Sequence, residues 1–163
     1  EGYKRQPHTL LTSGGLGTMG YSMGAAMGAA VGCPDKRVIM FVGDGGFHMN
    51  LTELATMASY NIPVIMFVMN NTVLGMVRQW QKIFYNNRFS DTDPHRATDF
   101  VKVAEAFGVK GMRIHTNDEI DTVIDEALKV NGPVLIECRI SPDSNVLPMI
   151  PPGGSVNDIK EEM

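Results

Sequence analysis

A chain of 163 residues with 44% apolar and 20% charged side chains has the makings of one domain with a sizeable core. Fourteen Lys and Arg against eighteen Asp and Glu leave a net charge of −4 with no basic stripe, which argues against a nucleic-acid surface. No apolar run approaches the roughly 18 residues of a membrane span. The two cysteines, Cys33 and Cys138, lie far apart outside any C-x-x-C, which fits a reducing compartment and no disulfide framework. The chain begins at Glu1 without Met and reads as a fragment or excised domain, so any targeting peptide is out of sight.

Residues 1–8 form a polar lead-in. His8 to Thr12 is a short strand candidate that runs into the glycine-rich Ser13-Gly14-Gly15-Leu16-Gly17-Thr18-Met19-Gly20. Such a loop after a strand lets a ligand approach the backbone. It is not G-x-G-x-x-G, so a dinucleotide site is disfavoured. From periodicity alone Met19 is a core packer. Gly20 to Val31 reads as a helix of small residues whose Gly20, Gly24 and Gly28 share one face, predicting a tight contact with a neighbouring element or domain. Gly32-Cys33-Pro34-Asp35 ends it.

Two short apolar runs follow, Val38–Val42 and Val64–Met69, and both read as parallel strands buried on both faces. The first ends in Gly43-Asp44-Gly45-Gly46 and the second in Asn70-Asn71. Ligands of open α/β sheets sit beyond the carboxyl ends of the strands, so Asp44 and Asn71 are expected to point into one crevice. That pairing suits Mg2+ on a diphosphate: Asp44 supplies an anionic oxygen, the Asn71 amide a neutral one and the Val73 carbonyl a third, with phosphate and water completing about six. Gly45 and Gly46 let backbone come close to phosphate oxygens, and the next helix aims its N-terminal amides at the same charge. His48 reads as a polar lead-in to that helix. Asn50-Leu51-Thr52-Glu53 predicts a capping box, with the helix running to about Tyr60 and stopping at Asn61-Ile62-Pro63.

Leu74 to Phe84 reads as a helix with Met76 and Trp80 on one face and Val77 beside them, by spacing alone an apolar face in the core. Tyr85 to Ala97 is polar, and its Asp93, His95 and Arg96 read as a solvated loop before a catalytic cluster. Asp99 caps a helix, Phe100 to Phe107, ended by Gly108. Val109 to His115 is a strand. Asn117 caps a helix to about Val130, with Asp118, Glu119, Asp121, Asp125 and Glu126 as its wet face. Val134 to Ile140 is the last strand. The tail from Ser141 to Met163 is rich in Pro and Gly and is expected to lie extended over a neighbour or to be partly mobile. Strands alternating with helices, without hairpin signals, predict an α/β fold, a parallel sheet with helices on both faces, over residues 1–140, with 141–163 as a separate tail.

Four blocks in order, T-S-G-G-L-G-T-M-G (12–20), G-D-G-G-F-H-M-N-L-T-E-L-A-T (43–56), N-N-T-V-L-G-M-V-R-Q-W-Q (70–81) and P-M-I-P-P-G-G (148–154), resemble the catalytic large subunits of acetolactate synthases, across the C-terminal third of those proteins. The resemblance implies the diphosphate-binding domain of a thiamine diphosphate (ThDP) enzyme that condenses two pyruvates, or pyruvate and 2-oxobutanoate, with loss of CO2 in branched-chain amino acid synthesis. It implies that Asp44, Asn71 and the Val73 carbonyl hold Mg2+, and that Gly43, Gly45, Gly46 and Gly75 belong to the cofactor site. The Gly17 carbonyl meets the aminopyrimidine, Met19 holds the cofactor bent, and Met76 lines the thiazolium and substrate space, so that Gly17 and Met76 serve catalysis by placing the two rings. Val77 and Trp80 wall the substrate channel. His48 stands where the family more often has Gln.

The activating glutamate, the pyrimidine-binding domain and the FAD-binding middle domain of that family have no counterpart in these residues, and neither Glu53 nor Glu105 matches the glutamate. The resemblance further implies a homodimer or homotetramer with its active site at a subunit interface, a regulatory small subunit as partner, and a cytoplasmic setting if bacterial or an organellar one if targeted. Alternatives are another ThDP-dependent decarboxylase, carboligase or oxidase, and a binding module that uses the fold without chemistry. A nucleotide-binding domain is disfavoured by the missing G-x-x-x-x-G-K-[ST].

Overall fold

The computed structural model of the chain describes residues 9–161. Its elements in order are α1 (Tyr21–Gly32), β1 (Val38–Gly43), α2 (Asp44–Asn50), α3 (Leu54–Ser59), β2 (Val64–Asn70), α4 (Gly75–Phe84), α5 (Phe100–Ala106), β3 (Lys110–Ile114), α6 (Ile120–Ala127) and β4 (Val134–Arg139). They fall into two compact units. The first runs to Asn70 and resumes over Ala97–Arg139; the second is Asn71–Arg96 with the chain from Ile140 onward.

The first unit is built on a four-stranded parallel sheet in the order β1-β2-β4-β3. β1 and β2 pair in direct register, Val38 with Val64 through Gly43 with Met69, and β2 pairs with β4 from Ile65 and Val134 to Asn70 and Arg139. Side chains alternate across a strand, so each run feeds two cores. On one face Met40, Val42, Val64, Met66, Val68 and Leu135 pack with Met23 and Ala26 of α1, Phe47 of α2, Met57 of α3 and Ala104 of α5. On the other, Ile65, Ile136, Val134 and Ile114 pack with Ala127 and Val123 of α6. Helices therefore cover both faces, as the alternation of strands and helices predicted.

The cover is uneven. β2 and β4 are buried on both sides, but Ile39 and Phe41 of β1 are 51% and 66% exposed. β1 is an edge strand, and α6 packs over the β3 side of the sheet. The expectation that both runs are buried on both faces therefore fails for β1. Phe41 instead stacks on Phe67 of β2, ring centroids 5.1 Å apart.

Three other expectations change. Thr9–Thr12 carry no strand pairing, and His8 lies outside the described residues. The helix expected from Asn50 begins six positions earlier, at Asp44, and is interrupted at Asn50, where φ is −135° and no capping bond forms; a short 3-10 turn over Leu51–Glu53 leads into α3. Glu53 accepts instead from the Thr56 hydroxyl at 3.0 Å. The Gly24 and Gly28 face of α1 is exposed, and a Cβ at either position would meet nothing within 4 Å, so the close neighbour expected there is not among the described residues. Asp99 caps α5 as expected, accepting from the Lys102 N–H at 3.2 Å. The next turn is held by Glu119, which accepts from the His115 N–H at 2.7 Å, while Asp118, Asp121, Asp125 and Glu126 are exposed.

The second unit consists of α4, the loop after it and the tail. Gln79 joins them: its amide donates to the Val146 carbonyl at 2.9 Å and accepts from the Val146 N–H at 2.7 Å. Arg78 adds an ion pair to Asp143 at 3.1 Å and lies 4.0 Å over the Phe89 ring. The tail is not merely extended: Met149 and Lys160 exchange two backbone bonds of 3.0 and 2.8 Å, closing a loop over Pro151–Gly154 and a 3-10 turn capped by Ser155.

Candidate functional site

The glycine-rich loop is a set of tight turns before α1. The Gly17 N–H donates to the Ser13 carbonyl at 2.8 Å and the Thr18 N–H to the Ser13 hydroxyl at 3.0 Å. Gly17 takes φ +59°, in the left-handed region that glycine enters at no steric cost. Its surface is open, with Leu16 93% exposed, and Met19 is also exposed, which removes the core-packer alternative for Met19. The loop ends at Gly20, φ +91°, where a Cβ would lie 2.8 Å from the Met49 Cβ and against the Asn50 side chain. A Cβ on Gly46 would lie 3.1 Å from Val42 and 3.9 Å from the Gly20 nitrogen. The loop end thus lies against α2 both near its start, at Gly46, and at its last residues, Met49 and Asn50.

Asp44 is the first residue after β1 and is buried, with one carboxylate oxygen accepting from the Gly45 N–H at 2.8 Å. Its own carbonyl receives a hydrogen bond from the His48 ring at 2.8 Å, and the other ring nitrogen lies 3.0 Å from the Thr98 hydroxyl. His48 is therefore a half-buried strut between α2 and the residues that lead into α5, not merely a polar lead-in.

At the carboxyl end of β2 the first unit holds a charged cluster to which the sequence reading assigned no role. Glu137 of β4 is fully buried. It accepts from the Asn70 amide at 2.6 Å, from Arg113 Nε at 2.7 Å and from Arg139 Nε at 2.8 Å. Arg113 also reaches Asp99 at 2.6 Å. The Lys102 N–H and then the Arg113 guanidinium hold the Asp99 carboxyl below the usual carboxylate range. The Glu137 hydrogen bond in turn raises Arg113 above its ordinary value. The available signal was a carboxylate in an apolar strand, V-L-I-E-C-R, since a buried Glu requires partners. Burial also pushes the neighbouring Cys138 thiol up.

In the second unit, considered by itself, Asn71 opens a turn. Its side-chain oxygen accepts from the Val73 N–H at 3.2 Å, and Thr72 takes φ +63°. A Cβ on Gly75 would fall 2.6 Å from the Asn71 amide nitrogen, so a larger residue there would displace that side chain. Val73 is buried and the Leu74 N–H donates to the Thr92 carbonyl at 2.8 Å. Asp44 thus stands in one unit, and Asn71, Val73, Gly75 and Met76 in the other.

α4 is inside out relative to its spacing. Met76, Val77 and Trp80 are 54%, 50% and 38% exposed, with Phe84 edge-on to Trp80 at 5.5 Å, while the polar Gln79 is buried. The core-face alternative for Met76 and Trp80 is overturned. What buries Gln79 is its pair of bonds to Val146, and that leaves the apolar side outward. An open depression beside this face is lined by Val77, Gln81, Tyr85, Arg88 and Ser90. The loop that follows carries Asp93, whose carboxylate accepts from the His95 N–H at 3.1 Å, with both residues exposed.

The sequence profile of the family described as "Thiamine pyrophosphate enzyme, C-terminal TPP binding domain" matches residues 2–138. The chain is 46% identical over 153 residues to a probable acetolactate synthase large subunit of Methanococcus aeolicus, covering 94% of this chain and 25% of that protein. It is 44% identical over 155 residues to the mitochondrial acetolactate synthase catalytic subunit of Saccharomyces cerevisiae, covering 94% of this chain and 22% of that protein. The chain thus spans about a quarter of the length of these relatives. The thiamine diphosphate-dependent 4-hydroxybenzoylformate decarboxylase of Rhodococcus jostii RHA1 has a similar structure, with a TM-score of 0.71 and 35% identity over 78% of this chain and 24% of that one. No described helix is long and apolar enough to cross a membrane.

Proposed function

We propose, for a chain that belongs to the family of C-terminal TPP-binding domains of thiamine pyrophosphate enzymes, that it is the part of an acetolactate synthase large subunit that grips the cofactor's diphosphate and Mg2+. The observation that carries this reading over another ThDP enzyme is the identity, 39–47% over most of the chain, to proteins named as acetolactate synthase subunits.

The residues fit the ion. A carboxylate (Asp44), a carboxamide (Asn71) and a peptide carbonyl (Val73) are hard oxygen donors, the set Mg2+ takes alongside phosphate and water. Asp44 directly follows β1 and Asn71 directly follows β2, its neighbour in the sheet, which is where open α/β sheets bind ligands. Gly43, Gly45 and Gly46 leave the backbone bare for the diphosphate. The open turn at Gly17 offers its carbonyl to the aminopyrimidine, and Met19 and Met76 supply apolar contacts to the two rings. The outward face of Val77 and Trp80 borders the path of the 2-oxoacids. When bound, ThDP supplies the carbanion chemistry; these residues place and orient it.

The remainder of the reading concerns the protein at its full length. There the chain works with a pyrimidine-binding domain from a partner subunit, an FAD-binding domain and a regulatory small subunit, and the products are the acetohydroxy acids that begin branched-chain amino acid synthesis. Residues 1–163 alone have no turnover and at most weak affinity for ThDP and Mg2+. The test is product analysis of the full-length protein fed pyruvate with ThDP and Mg2+. Acetolactate supports the reading. Acetaldehyde or acetyl phosphate as the main product assigns the chain to another ThDP enzyme.

A further inference from the structure

The cluster around Glu137 lies at one end of the sheet. Asn70, Glu137, Arg139 and Arg113 stand on one face because strand side chains alternate, and the register sets Glu137 opposite Arg113 and Asn70 opposite Arg139. Farther down that face the strands carry Met66, Val68 and Leu135; the cluster begins where the strands approach their carboxyl ends. Two arginines, Arg113 and Arg139, face two carboxylates, Glu137 and Asp99, with Lys102 3.7 Å from Asp99 at the exposed edge, so each carboxylate is paired. Buried ion clusters of this kind add little net stability compared with apolar residues of the same volume. Replacing the whole cluster by apolar residues would hold the sheet as well, whereas replacing Glu137 alone leaves Arg113 and Arg139 short of a partner. What an apolar residue cannot do is aim Asn70.

Asn70 is the last residue of β2 and is itself buried. Its amide donates to Glu137 at 2.6 Å, a charge-assisted bond at the short end of the range. That bond holds the side chain of the last strand residue before the chain leaves the sheet at Asn71. We infer that Glu137 is a positioning residue for the metal site: through Asn70 it fixes the end of β2 and so the placement of Asn71. Arg113 and Arg139 pair with the Glu137 carboxylate, and Arg139 meets the same oxygen as Asn70. The inference rests on the reading of Asp44 and Asn71 as Mg2+ ligands.

The test is titration calorimetry of ThDP into the full-length protein over a series of MgCl2 concentrations, with melting temperature measured alongside. Asn70→Leu removes the donor and leaves the charges in place; Glu137→Met removes the acceptor; Arg113→Met breaks the cluster on the side away from Asn70. The inference expects Asn70→Leu and Glu137→Met each to raise the half-saturating Mg2+ about tenfold, the loss of one charge-assisted bond, and the double variant to do no worse than either single one. Arg113→Met is expected to lower the melting temperature but to shift the Mg2+ requirement less than twofold. Should Glu137→Met fail to fold, Asn70→Leu and its milder companion Asn70→Ser carry the test. If the Mg2+ requirement only follows melting temperature across all variants, Glu137 is structural and the inference is overturned. Asp44→Ala separates the two claims: if it alone abolishes Mg2+-dependent binding, the metal reading survives and the positioning role falls. If it has no effect, both fall.

Discussion

Gly20→Ala should cost the chain far more stability than the same change four residues on, at Gly24. Two independent terms act at Gly20. Its φ of +91° lies where an L side chain is strained, at about 1–2 kcal/mol. The added methyl would also fall 2.8 Å from the Met49 Cβ and against Asn50, an overpacking cost of about 1–3 kcal/mol. Met49 and Asn50 are the last residues of α2, and the Met49 contact is to a Cβ whose place the backbone fixes, so the sum is about 2–5 kcal/mol. At Gly24 the methyl meets nothing within 4 Å and sits inside α1, where Ala exceeds Gly by about 1 kcal/mol in helix propensity. Equilibrium urea unfolding of the two variants, with the slope m unchanged, measures the difference. Gly20→Ala within about 0.5 kcal/mol of the parent, the ordinary range of a surface change, would refute the close approach of loop and helix.

Two further outcomes follow from particular contacts. Gln79→Leu keeps the volume but loses both bonds to Val146, each worth about 0.5–1.5 kcal/mol net, and should expose the tail beyond Ile140 to limited proteolysis before the sheet unfolds. The Asp99 carboxyl is held below its ordinary value in the folded chain, so its contribution is complete above about pH 4 and is lost as pH falls through the lowered value. Asp99→Asn should therefore flatten the acid limb of a stability–pH curve and change its slope little above pH 5, as read by urea midpoints at each pH.

Much of the fold was legible because parallel strands between helices leave short apolar runs ending in glycine or asparagine. β1, β2 and β4 matched their runs to within a residue or so, and α4 began one residue from its expected start. An apolar run, however, carries no record of which side is covered. V-I-M-F-V reads the same whether α6 reaches it or not, so the exposure of Ile39 and Phe41 was invisible. The capping box expected at Asn50 does not form, and its side chain lies against Gly20 instead, a contact between distant segments. α4 misled for a related reason: spacing identifies a common face but not its direction, and one buried glutamine set the direction. Of the site, the residue types at 44–46 and 70–75 were legible from chemistry. The Glu137 cluster was not, because Asn70 and Arg113 lie on two other strands, and only the register of β2, β3 and β4 brings them to Glu137.

The proposed function rests on Asp44 as the carboxylate that would anchor a divalent ion beneath a diphosphate. The most direct measurement is calorimetric ThDP binding to the full-length protein, parent and Asp44→Ala, with saturating MgCl2 and with chelator. The account predicts tight binding only for the parent with Mg2+, and a loss of at least about tenfold for Asp44→Ala, as for removal of a partner to a charged group. Equal affinity in all four conditions would contradict it.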